Sequence, residues 1–369
     1  MSKEYTLRWS AHPNIYNSYS ERELSFCFTE PTEGVNEETG ILLLISGFGG
    51  NSNSKVYSKM RKQFSDQHNL VVVQCDYFGQ EFMQHGDPLS LDMSISELRE
   101  MFTQEEIAHY FSKADGLQRL LNSNHAQPRA VRFKADLNES LSNFNDMGIM
   151  QALDNLTALF YVIEILKDND YTFNTKKVIV YGHSHGSYLA YLCNAFYPGL
   201  FTLLIDNSSW LFPNFLKKLR GTSVSRGLLD IQIMYHYLAT EMDFDPQLLH
   251  LKDLYRQVNN KCIIQSFHGS EDILISLQDK LAFCNEVSHC TLEAISEQEA
   301  LGPIFKSAHH GLDADFLLLF DHVMNKTNFD TGTELIYTPN TIQTEMNTYQ
   351  FSIESAVPLL HIVPSPHRT

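Results

Sequence analysis

The sequence predicts an α/β protein with a largely parallel sheet covered by helices on both faces. Three observations carry that prediction. Short, continuously apolar runs recur at residues 41–46, 70–78, 177–182, 200–206 and 261–269. Helix-like apolar periods separate several of them. One tight turn motif, Gly182-His183-Ser184-His185-Gly186, sits where an apolar run ends and a helical pattern begins. Strands buried on both faces read as unbroken apolar segments, whereas half-exposed strands alternate.

In chain order, ELSFCFT at 23–29 alternates like a half-exposed strand, and ILLLIS at 41–46 is solidly apolar up to Gly47. A helix is expected over 55–68, then the strand LVVVQCDYF at 70–78. Residues 148–168 have strong apolar periodicity, with Asp146 placed to cap the helix. KVIVYG at 177–182 leads into the turn, and a helix over 187–197 follows. LFTLLID at 200–206, KCIIQSFHG at 261–269 and HCTLEAIS at 289–296 complete the strands. LDADFLLLFDHVMN at 312–325 is the last strong helix. Two stretches, 79–145 and 207–258, break the alternation. Both follow strands, so both are expected to hang over the C-terminal sheet edge as helical cap insertions, where open α/β sheets bind ligands. Residues 1–326 then form one domain with its caps. Residues 327–369 form a C-terminal extension packed on it, with a strand pair at ELIYT and YQFSIE.

The length of 369 residues admits two domains, or one large α/β domain with insertions. A 43% hydrophobic and 19% charged composition is that of a globular protein. The net charge of -17 argues against non-specific nucleic-acid binding, which draws its affinity from Lys and Arg on phosphates. The polar N-terminal twenty residues lack a signal peptide's apolar core, and no run is expected to span a membrane. The six cysteines form no CxxC pair, so free thiols in a reducing cytoplasm are expected.

Strand, G-x-S-x-G and helix together define a nucleophile turn, in which small flanking residues let a serine hydroxyl stand above the sheet edge. Ser184 is the candidate nucleophile. His183 and His185 are too close in sequence to serve as its base. Their H-x-H spacing has no further ligand cluster behind it, so no metal and no cofactor are expected. His185 should contribute its backbone N–H to an oxyanion site. The candidate acid is Asp272, just past the Gly269 turn, with Glu271 and Asp206 as alternatives. The candidate base lies in KSAHHGLDADF at 306–316. His310, before Gly311, is favoured over His309. The other oxyanion donors are assigned to ISGFGGNSNS at 45–54, through the Phe48 amide with Gly49 next. Arg129 and Arg132, with Lys134, form a basic cluster that could hold a carboxylated sugar or a phosphate. Tyr77 and Trp210, with Phe78, lie beyond strand ends, where aromatic rings could stack on a sugar or acyl chain.

These motifs resemble those of the α/β hydrolases over roughly residues 20–326. More narrowly, GFGGNSNSKVYSKMR, VVVQCDYFGQEF, NDMGIMQALDNL and HHGLDADF resemble a bacterial hydrolase-like family. That family is related to the esterase-like component of the accessory Sec export system. The resemblance implies an esterase-like fold and O-acetyl transfer to glycans of exported glycoproteins. It also implies an association with surface-glycan or flagellin modification.

The expected function is a serine esterase or acyltransferase working through an acyl-enzyme on a glycan or small-molecule ester. A non-catalytic hydrolase-like module in a glycosylation or export assembly is the rival from another class. A peptidase is a weaker one, since nothing in the chain defines a peptide subsite.

Overall fold

The computed structural model describes residues 2–84, 88–112 and 115–365. Its strands, in chain order, are β1 (Lys3–Ser10), β2 (Glu23–Glu30), β3 (Gly40–Ile45), β4 (Leu70–Cys75), β5 (Leu89–Leu91), β6 (Arg129–Ala135), β7 (Val178–His183) and β8 (Leu203–Asn207). They continue with β9 (Arg220–Arg226), β10 (Leu229–Tyr235), β11 (Ile263–Gly269), β12 (Cys290–Ile295), β13 (Thr341–Gln343), β14 (Asn347–Glu354) and β15 (Val357–Pro364). The helices are α1 (Lys55–His68), α2 (Ile95–Met101), α3 (Gln104–Phe111), α4 (Gly116–Asn122), α5 (Ile149–Asp168), α6 (His185–Phe196), α7 (Pro246–Leu249), α8 (Leu251–Tyr255), α9 (Leu277–Glu286) and α10 (Phe316–Met324).

The chain divides into two compact units. The first comprises residues 1–80, 146–213 and 244–369. Its eight-stranded sheet has the order β1-β2-β4-β3-β7-β8-β11-β12. All neighbours from β4 to β12 pair in parallel, while β2 runs antiparallel to β4 and to β1. Every residue of β3, β4 and β8 is buried, in keeping with their apolar runs, and this includes the polar Gln74, Asp206 and Asn207. Leu42, Leu44, Val72, Ile179, Tyr181 and Ile205 face α1 and α10 on one side. Helices α5 and α6 pack together on the other. Helix α5 is long and apolar enough to cross a membrane by length and composition, a feature the sequence reading did not anticipate. Its most apolar window is 89% buried inside the protein, so its apolarity is that of a core helix.

Residues 207–213 and 244–258, expected among the insertions, belong to this first unit. Trp210, Leu211 and Phe212 are buried, and Leu251 N–H donates to the Leu211 carbonyl at 2.9 Å. The C-terminal sheet β13-β14-β15 also belongs here. Phe351 stacks on Phe196 at 4.3 Å, and Tyr197 donates its hydroxyl to the Ser352 carbonyl at 2.6 Å. The strand expected at 334–338 does not form. The Glu334 carbonyl is taken by the Thr175 hydroxyl, and Thr338 N–H by the Pro198 carbonyl. YQFSIE pairs instead with β15, across a turn whose Ser355 and Ala356 have positive φ. All six cysteines are free, and five are buried.

The second unit comprises residues 81–145 and 214–243. It is not purely helical. A four-stranded sheet, order β5-β6-β10-β9, packs with α2–α4 around Leu98, Phe102, Val131, Phe133 and Ile231. Ser94 with Glu97 and Thr103 with Glu106 form capping boxes at the starts of α2 and α3.

One polar network stands out in the first unit's core. Asp206 and Lys280 are both fully buried, with Nζ 2.6 Å from Oδ2. The carboxylate also accepts from Ser266, Tyr191 and Ser209. Burial alone would raise the Asp206 carboxyl, but the Lys280 charge and these hydrogen bonds hold it below its ordinary value. Removing one partner of a buried ion pair strands the other. Lys280→Met should therefore destabilise the fold by about 3–5 kcal/mol, and adding Asp206→Asn should recover much of the loss. Urea denaturation of the single and double variants checks this, and simple additivity of the two single changes would contradict it.

Candidate active site

The turn after β7 brings Ser184 to φ 54° and ψ −117°, outside the ordinary regions for a side-chain-bearing residue. Its flanking glycines are forced by contact. A Cβ on Gly182 would stand 2.4 Å from the Gly186 carbonyl, and one on Gly186 would stand 2.4 Å from the Ile45 carbonyl oxygen of β3. The turn is thus pressed against itself and against the neighbouring strand. Ser184 N–H is anchored on the Asn207 carbonyl at the end of β8, at 2.8 Å.

Three of the residues singled out in the sequence come together here. Ser184 Oγ lies 2.7 Å from His310 Nε2, and His310 Nδ1 lies 2.7 Å from Asp272 Oδ2. A carboxylate can only accept, so Nδ1 carries the proton and Nε2 receives the Ser184 hydroxyl hydrogen. Asp272 Oδ1 accepts from the Leu274 and Ile275 amides at 2.8 and 3.2 Å. Burial pushes this carboxyl up, but the hydrogen bond and charge of His310 outweigh it and hold it below its ordinary value. Asp272 is therefore ionised at neutral pH.

The alternatives lie elsewhere. His309 is exposed and directs Nδ1 to the Glu271 carbonyl at 3.2 Å. Glu271 accepts from the Ser270 hydroxyl, and Asp206 is engaged with Lys280. His183 and His185 do not share a ligand position. The His185 ring is fully buried, and its Nε2 meets Gln151 Oε1 at 2.6 Å. Burial pushes its pKa down to about 3. The His183 ring is wedged between two loops. A Cβ on Gly47 would stand 2.8 Å from its Nδ1, and one on Gly311 would stand 2.8 Å from its Nε2. Gly311 also has φ +81°, so glycine is required there twice over. Burial, reinforced by the His310 charge, takes His183 down to about 4.

The loop after β3 turns tightly, with Gly50 N–H on the Gly47 carbonyl at 2.9 Å and Gly49 at φ +77°. Gly47 N–H donates to the Tyr57 hydroxyl at 3.0 Å, which removes it from the oxyanion candidates. Phe48 and Gly49 lie in this loop, and His185 opens α6. Tyr77 is buried and donates to the Ser46 carbonyl at 3.0 Å, so its hydroxyl holds this loop. Trp210 packs on the rings of His185 at 4.8 Å and Phe48 at 5.5 Å. Arg129 and Arg132 lie on β6 in the second unit, each paired with a carboxylate, Glu106 and Glu97 respectively, at 2.9 Å. The sequence reading missed Tyr57, whose role depends on a contact ten residues away. It also missed His268, although HG directly precedes the segment that carries Asp272.

A mostly parallel sheet with a strand–serine–helix turn and a Ser–His–Asp line defines an α/β-hydrolase-fold protein. The chain belongs to the family described as "Protein of unknown function (DUF2920)", whose model matches residues 20–237. That span contains Ser184 and ends before Asp272 and His310. Among solved structures, the chain is similar to Est1E from Butyrivibrio proteoclasticus with ferulic acid bound, at 14% identity over 82% of this chain and 93% of that one, TM-score 0.45. It is also similar to an acylaminoacyl peptidase of Pyrococcus horikoshii, at 12% identity over 84% of this chain and 38% of that one, TM-score 0.44. A third likeness is to Thermogutta terrifontis esterase 2 phosphonylated by sarin, at 12% identity over 86% and 92%, TM-score 0.42. No curated protein matches the sequence.

The buried neutral histidines make stability depend on pH. His12 and His268 are also lowered, with burial the largest cause in each. In the unfolded chain each imidazole takes a proton near pH 6.5, whereas the folded chain withholds it until lower pH. Between those points the unfolded state binds more protons, so stability is full above about pH 6.5 and is lost as pH falls. Each such histidine contributes a slope of about 1.4 kcal/mol per pH unit. Thermal midpoints should therefore fall from pH 7 to pH 5, the four imidazoles outweighing the buried Asp146 carboxyl, which burial raises to about 6 and which acts in the opposite sense. A flat profile across that interval would show that the imidazoles are not held neutral.

Proposed function

We propose that this chain is a serine hydrolase acting on acyl esters, with Ser184 as nucleophile, His310 as base and Asp272 as the acid that orients it. The support is the unbroken line of two 2.7 Å hydrogen bonds from Ser184 through His310 to Asp272, on a serine held at positive φ. A serine hydroxyl is a weak nucleophile until a base accepts its proton. His310 Nε2 accepts that proton as Ser184 Oγ bonds to the ester carbonyl carbon. Asp272 stabilises the imidazolium without taking its proton. Amides of His185 and of Phe48, with Gly49 the alternative, hold the oxyanion. The imidazolium then protonates the leaving alkoxide, and an acyl-enzyme remains. Water or an acceptor hydroxyl, activated by the same imidazole, releases the acyl group.

The acceptor is the finer part of this reading. The motif likeness to a bacterial hydrolase-like family, itself related to the esterase-like accessory Sec component, supports a carbohydrate acyl ester as substrate and a sugar hydroxyl as acceptor. Six free thiols fit a reducing compartment, and the cytoplasm is the proposed location.

A fluorophosphonate probe tests the core of this proposal. Wild-type protein should be labelled and Ser184→Ala should not. His310→Ala should lose about 10³-fold or more in labelling rate and in p-nitrophenyl acetate hydrolysis, while His309→Ala stays near wild type. Equal labelling of wild type and Ser184→Ala, or none of either, would leave the non-catalytic module as the better description. Partition of the acyl group between water and an added sugar separates hydrolase from transferase.

A further inference from the structure

Behind Asp272 lies a histidine that the proposed mechanism does not use. His268 is the penultimate residue of β11, and its side chain is fully buried. Its Nε2 lies 2.9 Å from the Ile275 carbonyl oxygen and 3.7 Å from Asp272 Oδ2. A carbonyl only accepts, so Nε2 carries the proton and Nδ1 is a bare acceptor. That Nδ1 is buried and has no partner among the described residues. The charged groups acting on the ring are Lys280 from α9, Asp206 from β8 and Asp272 itself. Burial and the Lys280 ammonium outweigh the two carboxylates, and the imidazole stays neutral.

The segment that carries Asp272 has two differently held limbs. Its first limb is fastened by backbone: Ser270 N–H donates to the Ile295 carbonyl and Glu271 N–H to the Ala308 carbonyl, both at 2.9 Å. Gly269 presses on the Ala308 carbonyl so closely that a Cβ would stand 2.0 Å away. The second limb runs through Ile273, 93% exposed, and Leu274, 43% exposed. It returns to the interior at Ile275, where the His268 N–H meets its carbonyl. Ile275 N–H in turn donates to Asp272 Oδ1. His268 therefore closes from inside the turn whose amides grip the carboxylate.

We propose that His268 is a positioning residue for the triad: it fixes the Asp272 turn through the Ile275 carbonyl and lays its N–H beside Oδ2, the oxygen that meets His310. This inference rests on the hydrolase reading above. A simple apolar filler would leave the Ile275 carbonyl without that donor and loosen the turn whose amides hold Asp272 Oδ1. A misplacement of about 1 Å in a catalytic group can cost about 10²-fold in rate.

Two substitutions separate the donor from the volume. His268→Phe keeps a ring and removes the N–H, whereas His268→Gln keeps an N–H at comparable reach. In H268F the fluorophosphonate labelling rate and kcat for p-nitrophenyl acetate should fall about tenfold or more, with KM little changed. The acid limb of the pH–rate profile should also be displaced. H268Q should return the rate to within about threefold of wild type. The downfield proton signal of the His310–Asp272 hydrogen bond should be present in wild type and H268Q and be shifted or lost in H268F. If H268F does not fold, His268→Asn carries the test, because its shorter amide falls short of the Ile275 carbonyl and should show the same loss. Labelled wild type with H268F, or H268N in its place, at wild-type rate and an unmoved profile would overturn the positioning role and leave the triad standing. Failure of wild type to label at Ser184 would instead remove the hydrolase reading, and this inference with it.

Discussion

The contact between Gly186 and the end of β3 is the constraint from which the site follows. The first turn of α6 lies so close to the Ile45 and Ser46 carbonyls that no side chain fits between them. That approach forces the chain from β7 to α6 through a single residue at φ 54°, and that residue is Ser184. Strain of this kind costs about 1–3 kcal/mol and persists only where the surroundings over-determine it. Here the surroundings are the central parallel strands β3, β7 and β8, all buried, and the Asn207 carbonyl that takes the Ser184 amide. The same contact fixes the loop after β3 beside the turn, because the residues touching Gly186 are the ones from which that loop springs. Sheet order, the strained Ser184 turn and the loop after β3 are thus one geometric fact.

Around that turn the protein stabilises polar groups in places where water is absent. Asp206 meets Lys280, Asp154 is gripped bidentately by Arg22 at 2.6 and 2.7 Å, and Asp272 collects two amides and an imidazole. These carboxylates differ in what they leave available. Asp206 and Asp154 are consumed by a cation, and the desolvation cost of such buried pairs offsets much of their Coulombic gain. Asp272 instead meets a histidine whose other nitrogen faces a serine. The difference between these carboxylates lies in the partner's second hydrogen-bonding face.

Much of this was legible in the chain, for physical reasons that also mark the limits. The strands β3, β4, β7 and β8 announce themselves because burial on both faces demands unbroken apolar runs. The Ser184 turn announces itself because steric crowding demands two glycines. Asp272 and His310 could be placed because each follows a recognisable strand. The second unit was harder. RGTSVSR of β9 is mostly exposed, so no apolar signal marks it, and its pairing with LDIQIMY depends on a partner sequence rather than on its own. The tail failed similarly: ELIYT has the composition of a strand, but its carbonyl and amide partners are loops near residues 175 and 198. Arg129 and Arg132 looked like a free basic cluster because their partners, Glu106 and Glu97, lie more than twenty residues away in the sequence.

The histidines show how environment, not residue type, assigns chemistry. His12 Nε2 accepts from the Leu360 N–H, and the ring is held neutral by burial. His185 is enclosed by Gln151 and aromatic rings, and His183 by two glycine loops. Among the described residues none of these has a carboxylate within hydrogen-bond reach to stabilise an imidazolium. His268 has one within 3.7 Å, but Lys280 and burial oppose its charge. His310 alone among the five combines a carboxylate in hydrogen-bond contact, a serine on the opposite nitrogen and a side chain partly open to solvent. A base must accept a proton and then give it up, so it needs a charged state the protein tolerates but does not trap. His183 and His268, both held neutral, add no charge beside His310, which leaves Asp272 as the charged group in hydrogen-bond contact with it.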